Sequence, residues 1–223
     1  MIVESQEIIL TLPEGDRPRG KGLHQSAIIR AVATEYGLLK QEWAEEVSLV
    51  DVRKITDQVA ILRMSAGLAW EEYYIPRMGE ITSIPELQYV QNHPGEIEYQ
   101  GVYMNPDGES ISTIFSTYED RKRTLPIIHE VKWTYKSTNT IGKMDTTERL
   151  RKNWIWLAQM KAYCIARGTR FSWLHVYFVN GDYKRPLQPQ LWLFRFEFTE
   201  DELQENWEFF KEYVQHKRIE EGM

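Results

Sequence analysis

Cysteine is almost missing from this chain of 223 residues. The single one, Cys164, excludes an internal disulfide and any all-cysteine iron–sulfur or zinc site within one chain. Long apolar runs are missing too, and none approaches the roughly 20 residues needed to span a bilayer. The first residues carry Glu4 and Glu7 among apolar neighbours and lack a basic start, so they do not read as a signal peptide. There is no internal repeat and no low-complexity tract. A reducing, cytoplasmic setting away from membranes is the expectation. Hydrophobic residues (42%) and aromatics (13%) are plentiful enough to fill a core, so the chain reads as globular.

An excess of positive charge is also absent, since the formal net charge is −6. Its distribution matters more than its sum. From Glu197 to the end there are nine acidic and three basic residues, and the preceding 196 balance. Within that neutral body, basic residues cluster at Arg17, Arg19 and Lys21, at Arg121, Lys122 and Arg123, and at Arg149, Arg151 and Lys152. A local basic groove can bind phosphates beneath an acidic exterior, although each cluster alone is as easily a solvated surface.

The local patterns predict a strand over residues 2–12, a loop over 13–22 and a helix from about His24 to Tyr36. A second helical stretch is expected from about Asp51 to Tyr74, interrupted near Gly67, and residues 80–95 read as irregular. Glu96–Met104 reads as one strand ending at Asn105-Pro106-Asp107-Gly108, with Ser110–Thr117 as its hairpin partner and Leu125–Thr134 as another strand. A helix from about Asp145 to Arg167 follows, opened by Asp145 and Glu148 as a capping box. Strands at about 171–179 and 190–198 lead to a last helix, capped by Thr199 and Glu202, with Leu203, Trp207, Phe210 and Val214 as its apolar stripe. The expected architecture is α/β (α+β), a mixed sheet flanked by helices in one domain over residues 1–223. Its parts are an N-terminal helical region of about 1–95, a core of about 67–198 and an acidic helix of about 199–218.

Chemistry concentrates at three positions. Asp107 occupies a Pro-Asp-Gly turn, and Glu130 and Lys132 lie two apart on an apolar strand, hence on one face. A carboxylate and an ammonium buried together are costly unless paired or metal-bound. Mg²⁺ takes one or two carboxylates plus water and phosphate oxygens, so the group suits a phosphodiester held against the ion. Taken alone, Glu-x-Lys is far more often a salt bridge on an edge strand. His129, by alternation, faces away from Glu130 and reads as structural.

In context, Pro106-Asp107 followed by Glu130-Val131-Lys132 resembles the Pro-Asp…(Asp/Glu)-x-Lys pattern of restriction-endonuclease-like nucleases. The gap of 23 residues is long, which implies a hairpin over about 109–125 between the two elements. Gly67-Leu68-Ala69-Trp70-Glu71 is similar to the Gly-x-x-x-Glu helix of lambda-type exonucleases, and Gln159-Met160-Lys161-Ala162-Tyr163 to the Gln-x-x-x-Tyr helix of the RecB and lambda branches. Ser172–Phe178 and Gly181-Asp182-Tyr183 resemble the segment that follows that helix. With four elements in order over about half the chain, the sequence resembles the lambda-exonuclease or YqaJ-like group, which is often phage-encoded and acts in a bacterial host.

That resemblance implies a Mg²⁺- or Mn²⁺-dependent exonuclease, 5′→3′ on duplex DNA in recombination, without an iron–sulfur cluster. One or two ions would be held by Glu71, Asp107, Glu130 and the carbonyl of Val131, with Glu72 as the alternative to Glu71. Lys132 would act on the attacking water, with Gln159 and Tyr163 in support. Lys152, Trp156, Gln159 and Tyr163 share a helix face by their spacing, and Ser26, Arg30, Lys136 and Lys152 are the expected DNA contacts. Implied partners are DNA, a single-strand annealing protein and, by analogy alone, further copies in a ring-shaped trimer. A structure- or site-specific endonuclease and a non-catalytic DNA-binding subunit are the competing readings.

Overall fold

In the computed structural model, residues 23–35, 58–140 and 153–220 are described. The expected strand at 2–12, the basic clusters at 17–21 and 149–152 and the Asp145/Glu148 cap lie outside them.

The central strands are buried on both faces, and their side chains alternate accordingly. β1 (Leu23–His24) leads directly into α1 (Gln25–Glu35), and α2 (Gln58–Tyr74) and α3 (Met78–Ile81) follow. Next come β2 (Gln91–Asn92), β3 (Ile97–Tyr99), β4 (Val102–Met104), β5 (Gly108–Ser116) and β6 (Arg121–Thr134). α4 (Trp154–Ala166), β7 (Phe171–Phe178), β8 (Gln190–Glu197) and α5 (Glu200–Glu220) complete the order. One sheet runs β2-β5-β6-β7-β8, with β6 and β7 parallel and the other neighbours antiparallel; a small sheet runs β1-β4-β3. The parallel pair requires a crossover, which α4 provides. The expected mixed sheet flanked by helices is what the chain forms.

Even-numbered residues of β6 and β7 (Ile128, Leu174, Val176, Phe178) pack with Ile28 of α1, Met160 of α4 and Trp207 of α5. Odd-numbered ones (Ile127, Val131, Phe171, Trp173) pack with Tyr74 and Met78. The capping box is present: Thr199 Oγ1 accepts from the Glu202 amide at 3.1 Å, and Glu202 Oε2 accepts from the Thr199 amide at 2.9 Å. Leu203, Trp207 and Phe210 are buried as expected, while the Val214 side chain lies outside the description.

Three local expectations fail. α2 runs unbroken through Gly67, because the turn that follows docks on the sheet: Trp70 stacks on Tyr177 at 4.2 Å and contacts Trp133 at 5.9 Å. Aromatic burial of this size outweighs the ~1 kcal/mol cost of one helical glycine. Residues 96–104 are two short strands rather than one, reversed at Gln100 (φ 51) and Gly101 (φ 82), the positive pair of a tight hairpin turn. β5 therefore pairs with β6 and β2 instead of with this segment. The long gap between Asp107 and Glu130 is the β5–β6 hairpin, which returns Gly108 to lie opposite His129.

Candidate active site

The end of β5 creates an opening. β5 starts at Gly108, so beyond His129 strand β6 has no strand on that side among the described residues. Val131 donates its amide to Asp107 Oδ2 at 2.8 Å instead. The N–H and C=O of one strand residue point to the same side, so the Val131 carbonyl faces this opening too. Gly108 is required by crowding: a Cβ there would sit 2.8 Å from Val90 Cγ1 and 3.3 Å from His129 Cβ. The Pro-Asp-Gly turn can thus press against β6 and bring Asp107 beside Glu130.

A cleft of about 760 Å³ lies at this opening. Glu71, Asp107, Glu130, Lys132, Gln159 and Tyr163 all line it, as does Ser26. Glu72 is exposed and does not line it, so α2 presents Glu71. Each element supplies one part: α2 brings Leu68 and Glu71, the loop before β5 brings Asp107, β6 brings Glu130 and Lys132, and α4 brings Gln159 and Tyr163.

Charge in the cleft is out of balance. Glu130 is 1% exposed, and its Oε1 accepts from Lys132 Nζ. Its other oxygen, Oε2, is buried with no hydrogen-bond partner among the described residues. Burial first, and then the neighbouring Asp107 carboxylate, push the Glu130 carboxyl well above the ordinary carboxylate range, against the pull of Lys132. Two carboxyl groups in contact need a shared proton or a cation between them. Burial pulls the Lys132 ammonium downward, but Glu130, Asp107 and Glu71 outweigh it and hold it above the usual lysine value. The Tyr163 hydroxyl is held well above its normal range by burial and by the same three carboxylates.

Among the described residues, no three His, Cys, Asp or Glu side chains converge closely enough to form a finished cation site. The donor set nevertheless fits a hard divalent ion: an orphaned carboxylate oxygen on Glu130, the Glu71 and Asp107 carboxylates on the same cleft and a backbone carbonyl at the open edge.

Supporting contacts explain the positions on α4 and α1. Tyr163 donates its hydroxyl to the Asn105 carbonyl at 3.0 Å, which anchors the loop two residues before Asp107. Gln25, almost wholly buried, donates Nε2 to the Gln159 carbonyl at 2.8 Å and ties α1 to α4. Arg30 donates to the Ser26 carbonyl at 3.0 Å, one turn back, and does not line the cleft. Lys136 is exposed outside the cleft, with its ammonium 5.2 Å from the centre of the Trp156 ring and a bond to Asn153 Oδ1 at 3.3 Å. Lys152 lies outside the described residues. Arg121 and Arg123 both pair with Glu119 at the far end of the hairpin. Arg123 is seven residues from Glu130, about 23 Å along the strand.

Sequence reasoning missed several lining residues, among them His24, His93, Glu96, Tyr103 and Asn105. His93 follows β2 and donates its amide to the Asp107 carbonyl at 2.9 Å, while the others come with the small sheet, whose parallel β1–β4 pairing sets His24 beside Tyr103. No local signal predicts a two-residue strand pairing across the chain. Cys164 is wholly buried in the core.

No protein-family model matches the chain, and no curated protein matches it by sequence. Solved structures do. A phage-related exonuclease from Haemophilus somnus superposes with a TM-score of 0.50, covering 89% of this chain and 96% of that one at 10% identity. The chain shares that fold. An alkaline exonuclease (LHK-Exo) from Laribacter hongkongensis is similar at a TM-score of 0.48 and 14% identity, covering 89% of each chain; its complex with dAMP gives 0.49. At such identities the likeness concerns the fold alone. Among the described residues, no helix is long and apolar enough to cross a membrane.

Proposed function

We propose that this chain is a metal-dependent DNA exonuclease that hydrolyses phosphodiester bonds. The observation that carries the reading is the buried Glu130 oxygen without a partner, set against Asp107 and beside Lys132 in an open cleft. A binding module has no use for a buried, mutually repelling carboxylate pair facing phosphates. Glu71, Asp107, Glu130 and the Val131 carbonyl would hold one or two Mg²⁺ or Mn²⁺ ions. A bound ion supplies a more acidic water and charge neutralisation at the phosphate.

The chain's own groups do the rest. The Lys132 ammonium, held charged by its carboxylate neighbours, orients the attacking water and offsets charge developing on the phosphoryl oxygens. Water oxygen bonds to phosphorus and gives up a proton to solvent, the bond to the 3′-oxygen breaks, and the leaving oxygen takes up a proton. Gln159 orients the water or the substrate backbone, and Tyr163 holds the Asp107 loop through Asn105. Ser26, at the start of α1, offers its hydroxyl and a helix N-terminus to a terminal phosphate. Lys136, two residues past the end of β6, lies no more than about 13 Å along the chain from Lys132, within reach of a flanking phosphate.

The 5′→3′ direction on duplex DNA, a role in recombination and an annealing partner rest on the resemblance of Gly67–Glu71 and Gln159–Tyr163 to lambda-type motifs. Digestion of end-labelled linear duplex, 5′-phosphorylated or not, with a circular control and with Mg²⁺ or chelator, tests the reading. Mononucleotide release from linear DNA in Mg²⁺ is expected. Cutting of circles would make the protein an endonuclease, and no cutting with Mg²⁺ or Mn²⁺ would defeat the proposal.

A further inference from the structure

Behind the cleft, on the opposite face of β6, four side chains from four elements form an unbroken buried chain. Ser110 donates its hydroxyl to the Glu86 carbonyl at 3.0 Å and lies 2.8 Å from His129 Nε2. His129 Nδ1 is 3.1 Å from His175 Nε2, and His175 Nδ1 is 2.9 Å from the Tyr74 hydroxyl. Tyr74, His129 and His175 are wholly buried, and Ser110 nearly so. None of the four lines the cleft.

The direction of every bond follows from one end. A hydroxyl has a single proton, and Ser110 gives its proton to Glu86. Ser110 therefore accepts from His129 Nε2–H. A neutral imidazole protonated at Nε2 has a bare Nδ1, so His175 must donate to it through Nε2–H. His175 Nδ1 is then bare, and Tyr74 must donate to it. Each donor meets one acceptor, and no charge is needed anywhere along the chain.

Its members sit beside the cleft carboxylates in sequence. Tyr74 lies one helical turn after Glu71 on α2, Ser110 three residues after Asp107 on β5, and His129 next to Glu130 on β6. We propose that Tyr74, His175, His129 and Ser110 are positioning residues, a directed hydrogen-bond chain that fixes the spacing of Glu71, Asp107 and Glu130 from behind the sheet. Apolar side chains could fill the same volume, but they would not fix donor–acceptor distances and directions between α2, β7, β6 and β5. The use of that spacing, to hold a divalent ion, rests on the nuclease reading above.

Tyr74→Phe and Ser110→Ala each remove one end of the chain with little change of shape. Mn²⁺ binding by calorimetry without DNA, single-turnover cleavage and ¹⁵N NMR of the histidine rings would be measured on parent and variants. In the parent, both rings should be neutral Nε2–H tautomers. Each variant should bind Mn²⁺ about tenfold more weakly, the low end of the range for groups that orient metal ligands, with a similar fall in kcat. DNA KM should stay within about twofold, since the phosphate-contacting surface is untouched. A purely structural chain would lower the thermal midpoint and leave Mn²⁺ affinity and kcat at parent values, and that result overturns the proposal. An Nδ1–H tautomer at either ring in the parent overturns it as well, without dependence on how the variants fold. A parent that binds no Mn²⁺ defeats the nuclease reading together with this one. A parent that binds it equally to both variants defeats this one alone.

Discussion

The two faces of β6 handle their buried ionisable groups in opposite ways. On one face, Glu130 and Lys132 stand in a cleft with an unpartnered carboxylate oxygen and a second carboxylate pressed against it. On the other, His129 enters a neutral chain in which every donor meets an acceptor. Burial lowers the His129 ring to about 3 and holds His175 well below its usual value, so neither carries charge near neutral pH. Buried polar groups are normally satisfied from within. Indole N–H groups of Trp70, Trp133 and Trp173 lack partners on the His129 face too, so what sets the cleft apart is an unpartnered carboxylate oxygen, the group that a cation would complete on the nuclease reading proposed above.

Removing the cation tests that contrast most severely. Chelator should abolish cleavage, Mg²⁺ or Mn²⁺ should restore it, and Ca²⁺ should bind without restoring it, because Mg²⁺ demands tight octahedral geometry that Ca²⁺ relaxes. Full activity in chelator would sink the metal mechanism. Next in size, Lys132→Ala should slow single-turnover cleavage by about 10²–10³-fold while DNA still binds. A rate within a few-fold of the parent removes Lys132 from the chemistry.

Stability separates the faces in the opposite sense. His175→Leu leaves buried partners on both sides and should cost about 1–3 kcal/mol, read from denaturant unfolding in chelator. Glu130→Gln relieves repulsion with Asp107 and should leave the metal-free protein as stable as the parent or more so. A marked loss in Glu130→Gln would make Glu130 a structural ion-pair partner instead.

The pH dependence follows from the same carboxyl. Glu130 is held above its unfolded value, so the folded state binds more protons over that window. Its contribution to stability in chelator should therefore decline as pH rises from about 4.3 through the raised folded value. Melting curves across pH should show this decline in the parent and a flatter profile in Glu130→Gln, and a rise in its place would refute the assignment. Smallest of all, Lys136→Ala should reduce the salt slope of DNA binding by about one counterion and leave the saturated rate nearly unchanged. An unchanged slope would take the DNA path off this end of β6.

Much of the site was legible because its signals are local. Alternation along a strand put Glu130 and Lys132 on one face and His129 on the other, and helical spacing put Gln159 and Tyr163 together on the cleft side of α4. The preference for Glu71 over Glu72 came instead from the resemblance to the Gly-x-x-x-Glu helix, and α2 presents Glu71 to the cleft. Gly67 misled because a weak breaker was read without the aromatic docking that overrides it. Gln100-Gly101 was overlooked because it lacks the Asn-Gly or Asp-Gly signature of a tight hairpin.

The sequence by itself determined the mixed helix and strand content, the capping of the last helix and the placing of Glu130 and Lys132 on one strand face. All of these follow from patterns within a few residues, where backbone geometry dictates which side chains share a face. Only the tertiary structure decided that β5 stops opposite His129, that Gly108 lets Asp107 press against β6, and that Ser110, His129, His175 and Tyr74 meet. Those contacts join positions up to 101 residues apart, and their geometry depends on how whole elements pack.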